Sequence, residues 1–317
     1  MSAAIAVTGS VAYDHIMNFP GRFKDHILPN KLHILNVSFL VSNLQKLRGG
    51  CAANIAHACG LLGLEPKLVA AVGSDFGGYR TWLEERGVDL QGVLEDAELL
   101  TASCFITTDG DNNQITGFYP GAMARATEAT IARLAATPDL AIVSPNDPDA
   151  MRAYPEECRQ AGIPFLYDPG QQCIALSGDD LREGAKGSRA LVCNDYELAL
   201  VQEKTGASIE DLLELSEAVV VTLGEKGSRI HTREGEALEV PAAKVEKVLD
   251  PTGAGDAFRG GLIKGLVSGA GWDNAARLGS LTAAFCIEQQ GTSAYSFTMG
   301  EFNARFESAY GLASGLA

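Results

Sequence analysis

Short apolar runs stopped by glycine alternate with stretches of helical spacing along most of the chain. Residues 4–8 are apolar and end at Gly9-Ser10, the pattern of a buried strand. Residues 51–62 (CAANIAHACGLL) carry helical spacing and close at Gly63. A strand is predicted at 67–72 and a helix at 76–86, ending at Gly87. The alternation resumes with a helix near 127–136, a strand at 140–144, a helix at 149–161 and a strand at 164–167. Strands at 190–193 and 218–223 follow, and helices at 255–267, 273–288 and 299–310 close the chain. Such alternation predicts an α/β fold with a central, mostly parallel sheet flanked by helices.

Two stretches break the rhythm. Residues 16–42 contain the β-type run Ile34-Leu35-Asn36-Val37-Ser38-Phe39 without a helix after it. Residues 101–119 read as a hairpin, out through Cys104-Phe105-Ile106-Thr107-Thr108, turning at Asp109-Gly110-Asp111-Asn112 and returning through Ile115-Thr116-Gly117-Phe118. Together they predict a small β-sheet lid inserted at about 15–45 and 100–122. With no repeat and no low-complexity linker, residues 1–317 are expected to form one α/β domain carrying that lid.

Composition narrows the chemistry. The chain has 317 residues, 46% hydrophobic and 21% charged, which excludes a fully disordered protein. Lys+Arg number 25 and Asp+Glu 40, a formal charge of -15 with no long basic stretch to offset it. Nucleic acid and anionic membrane surfaces are therefore not expected as partners. Small anions remain compatible, because amides at a helix start bind phosphate whatever the net charge. The seven cysteines are scattered, and none forms C-x-x-C, which argues against disulfides or a zinc knuckle. The N-terminus has no basic region before its short apolar run, so a cytoplasmic protein is expected.

The densest chemistry lies in Asp250-Pro251-Thr252-Gly253-Ala254-Gly255-Asp256-Ala257-Phe258. Gly253 and Gly255 allow an irregular turn before an apolar helix. The amides of Ala254, Gly255 and Asp256 would then converge on one spot at the positive helix end. An Asp256 carboxylate beside that anion hole can take the proton of an attacking hydroxyl, the arrangement phosphoryl transfer needs. The plainer alternative is an N-cap aspartate on a glycine-rich turn. The chain contains no G-x-x-x-x-G-K-[ST] loop, so a nucleotide site here would not be of the Walker A type.

That nonapeptide resembles the C-terminal signature of the ribokinase-like (PfkB) carbohydrate and nucleoside kinases, and further segments match in family order. Arg48-Gly49-Gly50-Cys51-Ala52-Ala53-Asn54 is similar to the family's G-G-x-x-x-N, whose glycines lie against the substrate sugar and whose asparagine bonds its hydroxyls. Asp14 matches an early aspartate suited to a cis-diol, since one carboxylate accepts from two neighbouring hydroxyls. Asn194-Asp195-Tyr196-Glu197 is similar to N-x-x-E, which implies that Glu197 places Mg²⁺ through water while Asn194 contacts nucleotide. The alternative for that tetrad is a capped helix start. Thr222, Gly224 and Gly227 match the family's nucleotide-binding T-L-G-x-x-G. The resemblance implies ATP and Mg²⁺, and leaves open a K⁺ effect through loops near Asp250 and Gly291. It also leaves open a homodimer through the lid strands.

Within the family the lid segments resemble those of bacterial adenosine kinases, notably Val37-Ser38-Phe39-Leu40-Val41 and Phe118-Tyr119-Pro120-Gly121-Ala122-Met123. The expected activity is transfer of the γ-phosphate of ATP to the 5′-hydroxyl of adenosine. Asp14, Gly49, Gly50 and Asn54 would hold the ribose, with Asp256 as base beside Gly253, Ala254 and Gly255. Phe118 and Phe39 are the candidates for a base-stacking slot, the alternative being that they pack the lid. Ser10, Ser38 and Gln172 are further polar contacts by resemblance, and Arg48 is the candidate for the γ-phosphate. In this subgroup a second aromatic often stands where Cys104 falls here. Phe105 comes one residue later, and a one-residue shift turns a side chain to the other face. That leaves a looser slot, and with it a broader nucleoside kinase or a sugar kinase as alternatives. A catalytically silent nucleoside sensor is the remote one.

Overall fold

The computed structural model describes residues 2–27, 33–34 and 36–316. In chain order, β1 (Ala4–Thr8) leads through Gly9 into β2 (Ala12–Asn18), then the one-turn helix α1 (Phe23–His26) and β3 (Asn43–Gly49). Next come α2 (Cys51–Leu61), β4 (Glu65–Val69), β5 (Ala71–Val72), α3 (Gly77–Glu84), β6 (Leu94–Glu95), β7 (Ala102–Thr108) and β8 (Gln114–Tyr119). The second half runs through β9 (Leu140–Val143), α4 (Pro148–Ala161), β10 (Phe165–Tyr167), α5 (Gly178–Ala185), β11 (Ala190–Asn194), α6 (Asp195–Thr205) and α7 (Ile209–Leu215). It ends with β12 (Ala218–Thr222), β13 (Ser228–Thr232), β14 (Leu238–Val240), α8 (Ala254–Val267), α9 (Gly271–Ile287) and α10 (Met299–Tyr310).

Among the described residues eight strands form the main sheet in the order β14-β13-β12-β11-β10-β9-β1-β4, parallel from β12 to β4. β13 and β14 join antiparallel at one edge. The central strands are apolar up to their C-terminal residues, where Thr8, Asn194 and Thr222 stand, because helices cover both faces, with α2, α8 and α9 contributing to one core and α4 and α5 to the other. A separate sheet, β3-β2-β7-β8, is the expected lid. β2 pairs antiparallel with β3 and parallel with β7, and β7 and β8 form the hairpin turning at Asp109–Asn112.

Two expectations fail. The run 34–39 supplies no strand: residues 33–34 are a short 3₁₀ turn and 36–41 have no regular structure, while Leu35 lies outside the described residues. Its hydrophobicity serves packing instead, for Phe39 sits 4.9 Å from Phe19 and 5.0 Å from Phe23, ring centre to ring centre. The strands of that insertion are β2 and β3 on either side. The helix expected near 127–136 is two 3₁₀ segments, 121–128 and 131–133, and in the first Met123 and Ala126 are buried three residues apart. That spacing matches three residues per turn.

No described helix is long and apolar enough to cross a membrane.

Candidate active site

The parallel strands end on one side of the sheet, and the residues just past those ends line the site, as open α/β sheets generally arrange it. Gly9 follows β1, Pro145 lies just past β9, Asp168 follows β10, Asn194 ends β11 and Thr222 ends β12. Pro145, Asp168, Asn194, Glu197, Thr222 and Asp256 border one cavity of ≈ 420 Å³. A second cavity of ≈ 640 Å³ adjoins it through shared Thr222, Gly224 and Gly255, and has an apolar wall of Val245, Phe258, Ala283 and Ile287. One polar and one apolar chamber meeting at a glycine turn suit the phosphates and base of a nucleotide.

The turn is built as the sequence implies, with one change. Gly253 is the N-cap of α8 in the left-handed region at φ 81, where a Cβ would also press to 2.9 Å from Thr292. The Ala254 amide, expected to be free, donates to the Pro251 carbonyl at 3.3 Å. The convergent amides of the first turn are therefore those of Gly255 and Asp256.

Asp256 is half-buried, and loss of hydration raises its carboxyl above the usual range, opposed by the Asn54 hydrogen bond and by Arg259. Asn54 Nδ2 donates to Asp256 Oδ2 at 2.8 Å, and Asn54 Oδ1 accepts from Thr292 Oγ1 at 2.9 Å. Asn54, expected to contact the substrate, has both its polar atoms engaged by Asp256 and Thr292. It stands on the first turns of α2, which starts where the backbone crosses itself. Gly50 caps that helix at φ 97 with no space for a Cβ, 2.6 Å from the Ser10 carbonyl. Ser10 Oγ accepts from the Cys51 amide at 3.1 Å, so its hydroxyl serves the helix start.

Asp14 projects from β2 against Gly49, where even a methyl group would fall 2.3 Å from its Oδ2. Burial and the nearby Asp250 carboxylate raise the Asp14 pKa. In the lid register Asp14 pairs with Cys104, which pairs with Phe118, so the three share one row and one face. Two strand spacings separate Asp14 from Phe118, about 10 Å. Phe105 lies on the opposite face, stacked on His15 with centroids 4.6 Å apart and planes at 11°. Cys104 stands on the site face and Phe105 does not. Phe118 is 52% exposed, whereas Phe39 belongs to the lid's own cluster with Phe19, Phe23 and His26. Ser38 is exposed on the loop before β3, and Gln172 Nε2 donates to the Asn146 carbonyl at 2.7 Å.

Asn194-x-x-Glu197 is a capped helix start that also faces the polar cavity. The two side chains form a reciprocal capping box at the start of α6, each bond 2.8 Å, and both still border the polar cavity. Thr222, Gly224 and Gly227 form the tight β12–β13 connection, with the Leu223 amide donating to the Gly227 carbonyl at 2.8 Å. The loops near Asp250 and Gly291 meet, the Gly291 amide donating to Asp250 Oδ2 at 3.0 Å.

Arg48 does not reach this site. It lies over the Tyr79 and Trp82 rings, 5.8 and 5.4 Å from their centres, on the far side of β3 from Asp14. The cation at the polar cavity is Arg259, three residues beyond Asp256 on α8 and therefore on the same face. It is paired with buried Asp168, Nη2 donating to Oδ1 at 2.6 Å. Burial lifts Asp168 to about 6 against the pull of that guanidinium, so the pair is ionised at neutral pH. Arg259 Nη1 lies over Gly255, where a Cβ would come to 2.7 Å, so the missing side chain at Gly255 admits the guanidinium to the amide turn. Its spacing from Asp256 is the one sequence signal for this arginine. The partner Asp168, 91 positions away, leaves none.

A carboxylate, an amide turn, a buried cation and an adjoining apolar chamber are the parts a phosphotransferase of the ribokinase-like α/β fold needs. Residues 5–298 match the family described as pfkB family carbohydrate kinase, and the chain belongs to it. A nucleoside kinase of Methanothermobacter thermautotrophicus is 34% identical over 280 residues, 87% of this chain and 90% of that one. The structure of Burkholderia thailandensis nucleoside kinase in complex with inosine superposes with a TM-score of 0.87 at 40% identity, covering 98% of this chain and 99% of that one. The Methanocaldococcus jannaschii nucleoside kinase follows at a TM-score of 0.85 and 29% identity, covering 97% and 100%.

Proposed function

We propose that this kinase phosphorylates purine nucleosides, adenosine among them, on the 5′-hydroxyl with ATP as donor. The observation that carries the reading is the lid row Asp14–Cys104–Phe118. It offers a carboxylate for a cis-diol and, about 10 Å away, a half-exposed ring for a flat base. A free sugar has no use for that ring. The likeness to nucleoside kinases, one of them bound to inosine, supports the same substrate class. Cys104 and the outward Phe105 leave one aromatic on the site face. That favours broad use of purine nucleosides over strict choice of adenosine.

In this mechanism Asp14 and the Gly49–Gly50 backbone hold the ribose, and Asp256 takes the 5′-proton as the oxygen attacks the γ-phosphorus. Asn54 keeps the receiving carboxylate oriented. The amides of Gly255 and Asp256, with Arg259, stabilise the charge on the phosphoryl oxygens. Thr222, Gly224 and Gly227 flank the nucleotide, whose base enters the apolar chamber. Among the described residues no group of three or more His, Cys, Asp or Glu is placed to hold a metal. Glu197, one of the carboxylates on the polar cavity, suits Mg²⁺, which keeps its waters and binds mainly through nucleotide phosphates. Glu197 would hold it through water, and the ion would neutralise phosphate charge. Lid closure over the nucleoside would exclude water and limit wasteful ATP hydrolysis.

The test is ADP production with Mg²⁺ and ATP against adenosine, inosine, guanosine, cytidine, ribose and fructose. Turnover of several purine nucleosides, with ribose and fructose far behind, is expected. Turnover of free sugars alone overturns the role of the lid row, and no turnover with any acceptor overturns the kinase assignment for this chain.

A further inference from the structure

A third cavity, ≈ 580 Å³, opens on the other side of β3 from Asp14, between β3, α2, α3 and the segment 290–296. In a chain of formal charge -15 its lining is cationic. Arg48 and Arg86 both approach the Trp82 indole, 5.4 and 4.0 Å from its centre. Among the described residues Arg48 has no carboxylate within salt-bridge distance, and the nearest to Arg86 is Glu85 at 3.9 Å. Arg48 without a carboxylate partner and Arg86 with a distant one, both beside one indole, offer a site for an oxyanion.

A second observation is independent of the charges. His57 lines the same cavity, is 2% exposed, and its Nδ1 has no hydrogen-bond partner. Burial lowers its pKa to about 4, so the ring is neutral at pH 7. Its Nε2 lies 3.1 Å from the Tyr295 carbonyl and must carry the proton, because a carbonyl only accepts. Nδ1 is therefore a buried lone pair lacking a donor. The complementary ligand is anionic at one end and carries a hydroxyl. The volume suits a whole metabolite rather than a bare phosphate ion.

The cavity also has a route to the base. Thr292, on its wall, places Oγ1 3.1 Å from the Arg48 carbonyl and 2.9 Å from Asn54 Oδ1. One hydroxyl carries one proton, so it donates to one of these acceptors at a time. Donation to Asn54 fixes the amide that holds Asp256, and donation to Arg48 releases it. A ligand that shifts β3 at Arg48 biases this choice.

We propose that the cavity is a regulatory site for a nucleoside monophosphate, with the phosphate between Arg48 and Arg86 and a ribose hydroxyl donating to His57 Nδ1. Its effect on turnover passes through Thr292. The binding half stands on geometry alone, and the effect on turnover rests on the kinase assignment above.

The experiment titrates AMP and IMP calorimetrically into protein whose catalytic site is filled by a non-hydrolysable ATP analogue and a nucleoside. Ribose 5-phosphate and inorganic phosphate are the comparison ligands. Saturable monophosphate binding is expected, weakened at least about 10-fold in Arg86→Gln and further in Arg86→Glu, as loss of a charged hydrogen bond implies. Ribose 5-phosphate binding as tightly as AMP overturns the nucleotide assignment. No binding to the filled enzyme, or equal binding to the Arg86 variants, overturns the site. In assays AMP is expected to change kcat at saturating substrates in the wild type but not in Thr292→Val, which still binds AMP. A persisting AMP effect in Thr292→Val overturns the route. If no acceptor is phosphorylated, the calorimetry still decides the site.

Discussion

Replacing Asp256 by asparagine separates proton removal from everything else this residue does. The carboxamide has the same shape, and its oxygen can still accept from Asn54 Nδ2, now 2.8 Å from Asp256 Oδ2. Arg259 is not stranded, because its main counter-ion is Asp168. Folding should therefore survive. Burial raises the Asp256 pKa, so the folded state binds a proton more readily than the unfolded one, and the ionised carboxylate costs stability at neutral pH. An uncharged amide removes that cost, so the melting temperature should stay equal or rise. Turnover should fall by at least about 10²-fold, the low end for a general base and about 2.7 kcal/mol of barrier. The assay is ADP release at saturating ATP and nucleoside, with nucleoside affinity measured separately by calorimetry and expected to stay within about threefold. Turnover within threefold of wild type would refute the base assignment. Collapse of the fold would refute the claim that Arg259 is secured by Asp168.

Other predictions follow from the same geometry. Phe118→Ala should weaken nucleoside binding by roughly 1–3 kcal/mol, seen as a higher KM with little change in kcat. An unchanged KM would place the base elsewhere. In Asn54→Ala the hydrogen bond that holds the Asp256 pKa down is gone, so the acidic limb of the kcat profile should move to higher pH. An unmoved limb would mean that Asn54 does not touch the titrating group. His57 has its folded pKa lowered from 6.5 to about 4, so stability it confers above pH 6.5 is lost as pH falls towards 4. The loss is on the order of 3 kcal/mol. Urea unfolding of wild type and His57→Gln between pH 7 and 4 should show a steeper decline in the wild type, and parallel curves would contradict the buried neutral histidine.

Strands buried on both faces were plain in the sequence, since 140–143 and 218–222 are unbroken apolar runs with turn residues beyond them. The motif residues were legible for a related reason: glycine turns and helix starts are local, and Gly50 and Gly253 mark them. Elements that bury little left weaker traces. Helix α6 has Val201 as its buried residue, so no apolar stripe marks it and only the capping pattern at Asn194–Glu197 does, while α5 and α7 went unpredicted. Hydrophobicity at Phe39 signalled packing, not extension. Within the site, Asp14, Asp256 and Glu197 could be named from their neighbours in the chain. The Arg259–Asp168 and Asn54–Thr292 contacts join residues 91 and 238 positions apart, and chain patterns carry no such pairing. Arg48 was misplaced because alternation along β3 turns its side chain away from the face that holds Asp14.

The four-stranded sheet is built from excursions that leave the main sheet after β1 and rejoin it at α2, then leave again at β7 and return after β8. None of its strands belongs to the turn that carries Asp256. If the lid chooses the acceptor as proposed, selection can redraw that surface while the turn that carries Asp256 stays as inherited. A lineage of carbohydrate kinases can acquire nucleosides by changing a few side chains such as those at 104, 105 and 118. A protein engineer can follow the same path, varying one face of a small sheet and leaving the chemistry alone.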